Sequence, residues 1–252
     1  MNLSYLSNKN FHERDSHITF DEPTHVYTID GDSSYTSVTT KNHSYFKPFN
    51  ADEIINKMMN SKRWEQNKYY GKSADEIKEE WEKNRNEAAE AGTKMHYDIE
   101  CYYNNNHVEN NSIEYSYFQK FLEDNKDLVP YRTEWMIWDK DWKLAGSVDM
   151  TYENPDGTLM IYDWKRSKEI KQENHWQKST HPMLSHIPDC NFWHYSLQLN
   201  TYKAILEKNY NKKITDMYLI CLHPNNSNHS YLEYKVPDMN VEIDNLLNCH
   251  IL

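Results

Sequence analysis

The first groups in this 252-residue chain whose spacing could do chemistry are two carboxylates and one ammonium. Asp149 stands between Val148 and Met150, while Asp163 and Lys165 flank Trp164. Alternation along a strand puts Asp163 and Lys165 on one side and Trp164 on the other. Apolar runs at Leu144–Tyr152 and Leu159–Trp164 flank Asn154-Pro155-Asp156-Gly157, and Asp-Gly between such runs predicts a hairpin. Pairing centred on residue 156 sets Asp149 beside Asp163. Two carboxylates this close resist ionisation until a cation joins them. Oxygen ligands in such a cluster suit Mg²⁺ or Mn²⁺, and the nearby lysine can orient or activate a metal-bound water. A lone Asp-x-Lys is ordinarily a solvated ion pair, so these residues gain weight only if other parts of one site exist elsewhere.

Such parts exist, in order. Gly92 and His96 lie upstream in a helical pattern, Gly146 precedes Asp149 by three, and Gln198 and Tyr202 share a face of a downstream helix. The ordered set G-x-x-x-H, G-x-x-D, D-x-K and Q-x-x-x-Y, spread over about residues 88–206, resembles the PD-(D/E)xK nuclease superfamily. It is most similar to the RecB-like branch, which also holds Cas4-like and mitochondrial genome maintenance exonucleases. Val148 departs from the pattern, standing where the superfamily's name has proline.

The resemblance implies an α/β fold with a restriction-endonuclease-like core, a central mixed β-sheet flanked by helices. It implies one or two Mg²⁺ or Mn²⁺ ions held by His96, Asp149, Asp163 and the backbone carbonyl of Trp164, with Lys165 acting on the attacking water. Glu100, one turn beyond His96, is a weaker candidate ligand or outer partner. An edge charge explains Glu134 as well as a site role does, and it matters only for a second metal. Gln198 and Tyr202 are implied to position DNA or the lysine. The implied reaction is metal-dependent hydrolysis of DNA phosphodiesters, leaving 5′-phosphate and 3′-hydroxyl. An exonuclease processing DNA ends in replication, recombination or repair is favoured. The alternatives are a structure-specific or nicking endonuclease on the same site, or an inactive module that only binds metal and DNA. RNA stays open as a substrate.

These groups need elements to position them. Helices are expected at 51–60, 73–103, 112–128, 194–209 and about 239–249, with Asn50 and Ser73 as caps. Ile77, Trp81, Ala88 and Met95 read as one apolar stripe of the long helix. A glycine inside that helix costs about 1 kcal/mol, so Gly92 suggests close approach of another backbone. The meander of Trp135–Trp138, Leu144–Tyr152 and Leu159–Trp164 joins strands at 214–223 and 230–236. Residues 1–16 read as a loose lead-in. His25–Ile29 and Tyr35–Thr39 read as a hairpin about Asp30-Gly31-Asp32, serving as scaffold alone. The whole, 1–252, is read as one nuclease domain. Within it, 1–50 is lead-in and hairpin, 51–130 the helical part with the histidine, and 131–252 the sheet core.

The stretch between Lys165 and Tyr195 is long for a loop. It mixes Arg166, Lys168, Lys171 and Lys178 with Trp176, Phe192 and Trp193, a blend suited to a single strand of DNA. A surface loop pinned by Trp176 and Trp193 explains the composition equally well. The spacings of His175, His181, His186 and His194 fit no zinc site. Cys101, Cys190, Cys221 and Cys249 are too scattered for a zinc ribbon or an iron–sulfur cluster, and are expected as reduced thiols.

A net charge of −11 argues against non-specific coating of nucleic acid. Residues 163–213 nonetheless hold nine bases against five acids. Mean hydropathy is −1.01, and no apolar run reaches membrane-spanning length. An intracellular monomer is expected, in the cytoplasm, or in the nucleus or an organelle if the source is eukaryotic. Abundant asparagine suggests an AT-rich genome, such as a virus or phage.

Overall fold

In the computed structural model, which describes residues 3–248, the Asp-Gly turn sets the expected register. The elements in chain order are α1 (Tyr5–Lys9), β1 (Ile18–Asp21), β2 (Val26–Ile29), β3 (Thr36–Ser37), α2 (Val38–His43), α3 (Ala51–Met59), α4 (Ala74–Tyr103) and α5 (Ile113–Asp124). There follow β4 (Val129–Asp139), β5 (Leu144–Glu153), β6 (Leu159–Lys165), α6 (Asn191–Asn209), β7 (Ile214–Cys221), β8 (Leu232–Lys235) and α7 (Asn240–Asn248). Met150 pairs with Tyr162 and Glu153 with Leu159, antiparallel. β7 runs parallel to β6 on its far edge, and β8 antiparallel to β7. The sheet is therefore mixed, as expected.

β5 organises it. One edge is taken by β4 from Leu144 to Glu153. The other edge holds β3 at Leu144 and Ala145, and β6 only from Met150 onward. Between them, Gly146–Asp149 has no ladder partner on that edge, and the sheet forks there.

Two apolar layers cover the faces. Leu199, Tyr202, Ile205 and Leu206 of α6 pack on Val148, Ile161 and Leu219. Met95, Ile99 and Tyr103 of α4, with Tyr115, Phe118 and Phe121 of α5, pack on Met150, Tyr162 and Trp164. Aromatic side chains dominate the second layer, with Phe118 and Phe121 edge-on to Trp164. Val148 and Met150 lie two residues apart yet join opposite layers, so β5 changes face at Asp149. In β4 the matching irregularity is Glu134, whose φ of +40° is strained for a side chain other than glycine.

α4 starts on a capping box between Ser73 and Glu76. Its apolar stripe is broken, however. Ile77 and Met95 are buried, but residues 82–90, Ala88 among them, are all exposed. The outer end of α4 packs instead on α3 in a separate small cluster of Ile55, Tyr69 and Ile77.

The N-terminal expectations need correction. The lead-in is docked, not loose. Leu6 is buried and its N–H donates to Asn104 Oδ1 at 3.1 Å, while Asp15 accepts from Arg132 and from the indole of Trp135 at 2.8 and 3.0 Å. β2 forms its ladder with β1, and across Asp30-Gly31 it makes only the single bridge from Ile29 to Asp32. Asp30 and Gly31 do form a tight turn with positive φ, but Thr36 and Ser37 then leave to cover the open end of β5. No helix among the described residues is long and apolar enough to cross a membrane.

Candidate active site

The fork in the sheet is where the chemical groups meet. Trp164 points its N–H and C=O into it with no strand to receive them, and buried backbone groups need partners. The N–H donates to Asp149 Oδ2 at 3.0 Å. The carbonyl lies 2.9 Å from His96 Nε2. The other ring nitrogen of His96 lies 3.4 Å from Glu134 Oε1 and 3.5 Å from Asp149 Oδ2. One imidazole from α4 thus spans β4, β5 and β6. Among the described residues, His96, Glu134 and Asp149 are the grouping able to close on one ion. Glu134 also accepts from the Ser147 hydroxyl at 2.9 Å.

Asp163 and Lys165 lie on the α6 side of β6, as strand alternation requires. The ammonium of Lys165 is 2.6 Å from Asp163 Oδ2 and 4.5 Å from the centre of the Tyr195 ring. Asp163 is 1% exposed, and its carboxylate meets the Lys165 ammonium through Oδ2 while Oδ1 is left over. A buried oxygen left over in this way is costly unless something further joins it. The sequence-expected set is therefore split: His96, Asp149 and the Trp164 carbonyl come together with Glu134, while Asp163 sits with Lys165 behind them.

Charge and burial shift the titrations of Asp163, Asp149, His96, Lys165 and Glu100. Burial pushes Asp163 up to about 7, with Asp149 adding to it and Lys165 opposing. Burial also raises Asp149, against the pull of His96. Burial would lower His96, but Asp149 and Glu134 outweigh it and hold the imidazole at about 9. Lys165 behaves likewise: desolvation is overcome by Asp163 and Asp149, and its pKa rises. Glu100 is lifted to about 7, first by burial and then by Glu134. It neighbours the cluster without joining it.

Gln198 donates to the Tyr202 hydroxyl at 3.0 Å, and Tyr202 is buried against β5. A methyl group at Gly146 would come within 2.6 Å of the Tyr202 ring. The close approach expected at Gly92 is found here instead, since a Cβ at Gly92 would meet nothing within 4 Å, and nothing in the structure explains that glycine.

In the loop after β6, Arg166 pairs with Glu114 at 2.7 Å, and Lys168 is exposed. Trp176 is 94% exposed. Trp193 leans on the core and donates its indole N–H to Gln172 O at 2.9 Å. Much of the basic surplus of residues 163–213 is met by distant acids, Lys203 by Asp238 and Lys208 by Asp139 and Asp141. Cys101, Cys190 and Cys221 form no disulfide among the described residues and are buried on separate parts of the fold, and Cys249 lies outside the described residues.

Glu134 is the residue that sequence reasoning left at the margin. Its acidic type was visible, but its left-handed backbone and its distance from His96 were not.

The oxygen and imidazole donors, with a buried carboxylate behind them that keeps one oxygen unpartnered, fit a divalent cation such as Mg²⁺ or Mn²⁺. Comparison with known proteins agrees. The PD-(D/E)XK nuclease superfamily matches residues 51–248, and the chain belongs to it. A search of curated proteins gives no match. A solved structure titled "Crystal structure of SSO0001" is 12% identical, with a TM-score of 0.34 over 100% of this chain and 88% of that one, a likeness too slight to build on.

Proposed function

We propose that this member of the PD-(D/E)XK nuclease superfamily hydrolyses phosphodiester bonds in DNA, as a RecB-like exonuclease that processes ends from a single domain. The observation that carries the reading is the buried Asp163–Lys165 pair set behind His96, Glu134 and Asp149. His96, Glu134, Asp149 and the Trp164 carbonyl would hold the metal, with Asp163 beside them. A bound Mg²⁺ or Mn²⁺ supplies Lewis acidity toward the phosphate and a water of lowered pKa.

The chain's own groups do the rest. Lys165 keeps its proton, so it acts as a fixed cation facing the charge that develops on the phosphate, and not as a base. The Tyr195 ring holds that ammonium in place. Gln198 and Tyr202 brace Gly146 and thereby the strand that carries Asp149. His96 ligates only after losing a proton, and Glu100 backs Glu134 without ligating. Lys168 and Trp176 are exposed beyond the fork and serve to hold the strand, with Arg166 and Trp193 shaping the loop that presents them.

The test is digestion of end-labelled single- and double-stranded DNA, linear and circular, with and without Mn²⁺. Linear DNA should be lost only with metal, and Asp163→Ala or Lys165→Ala should abolish the loss. Equal digestion by Asp163→Ala would refute the assignment. Cutting of closed circles would select an endonuclease, and retention of DNA without cutting would select a binding module.

A further inference from the structure

A second cavity, of ≈ 550 Å³, opens between the chain leaving α2, the first turns of α3 and the start of α6. Its floor is a stack: the Phe46 ring lies 3.9 Å from the His194 imidazole, 33° from parallel. Phe49, 72% exposed, lines the cavity with its ring centre 6.0 Å from that of Trp81, and Gln177 and Asp189 line it as well. Asp189 holds His194 at 2.8 Å, and burial draws that histidine below its ordinary range, so the floor is an uncharged ring.

The two lysines of the cavity share one carboxylate of its own lining. Lys47 and Lys57 both bind Glu53, at 2.9 and 3.0 Å. What remains for a ligand is flat ring surface on two sides and an amide edge from Gln177. That combination fits a planar, hydrogen-bonding heterocycle. A nucleobase has this chemistry, and stacking on aromatic side chains is how single strands are held without regard to sequence.

The placement agrees. His194 is four residues before Gln198 on α6, so the two share a face one turn apart. Tyr195, next to His194, covers the Lys165 ammonium. The cavity and the Lys165 ammonium thus meet consecutive residues of the first turns of α6.

We infer that this cavity is a base-binding subsite, taking one unpaired nucleobase a short way along the strand from the bond to be cut. The inference rests on the nuclease reading above and deepens it, since it requires an unstacked single strand at that point.

The test uses the wild-type protein in EDTA, so that nothing is cut. A single-stranded oligonucleotide carries 2-aminopurine at each position in turn, and its fluorescence is read on binding. One position should be strongly quenched. Phe49→Ala, a change at an exposed side chain that circular dichroism should show folded, should remove that quench and weaken binding about tenfold. An abasic site at the same position should weaken wild-type binding to a similar extent, with no further loss in Phe49→Ala. If quench and affinity survive Phe49→Ala, or if no abasic position matters, while the wild type still binds and cuts DNA, the subsite is refuted and the nuclease reading stands. The cavity would then be left to an aromatic side chain of a protein partner. If the wild type binds no oligonucleotide in EDTA, the subsite is refuted, and digestion with Mn²⁺ alone decides the nuclease reading.

Discussion

The two ends of α4 belong to one unbroken helix and live in different worlds. At the inner end, Met95, Ile99 and Tyr103 join a layer of rings from α5, β5 and β6, and His96 is fixed against three strands. At the outer end, Ile77 meets only Ile55 and Tyr69 as fully buried partners, and nine exposed residues separate the two. Chemistry that depends on a few tenths of an ångström sits where many packed neighbours fix the backbone. A base-holding wall such as Phe49 sits by the smaller cluster, where adjustment costs less. The outer part should therefore open locally at a lower free energy than the inner part.

The largest expected effect is at the inner end. His96→Ala should lower Mn²⁺ affinity by at least about tenfold by calorimetric titration, with amide exchange over residues 51–81 unaltered. Because the wild-type imidazole holds its proton up to about 9, metal must displace it. Affinity should therefore tighten as pH rises toward that value, and this dependence should weaken in the variant. Faster exchange at the outer end in His96→Ala would break the comparison.

Next comes Ile77→Ala, which should cost about 2–4 kcal/mol by leaving a cavity in a cluster too small to refill it. Hydrogen exchange should then quicken over residues 51–81 while Mn²⁺ affinity holds. A uniform loss across the sheet would instead make both ends one cooperative unit.

The smallest effect is at the cap. Ser73→Ala removes the hydroxyl half of the capping box, leaving the backbone N–H of residue 73 on Glu76, and should cost about 1 kcal/mol, with faster exchange confined to the first turns of α4. Exchange spreading past residue 90 would mean that the exposed span transmits strain inward.

What the sequence disclosed follows the range of the forces involved. Asp156-Gly157 and the alternation around it set the register of β5 against β6, because turn and strand are neighbours in the chain. Ser73 and Asn50 marked helix starts for the same reason. The meeting of His96 with the Trp164 carbonyl was legible only through an ordered resemblance, since 68 residues separate them. Glu134 was not legible, because its role comes from a strained φ inside a strand and from a face change opposite Asp149. The pairing of β1 with β2 was missed because two turns of similar strength flank β2. The unpaired end of β5 decided between them by drawing Thr36 and Ser37 away.

Gly146 and Tyr202 have a consequence for the history of this protein. A hydrogen on one strand and a ring on the facing helix share a single volume, so neither site can drift alone. A larger residue at 146 is viable only beside a smaller one at 202, and that exchange would also take the hydroxyl from Gln198. Among descendants of this chain the two positions should change as a pair or stay frozen.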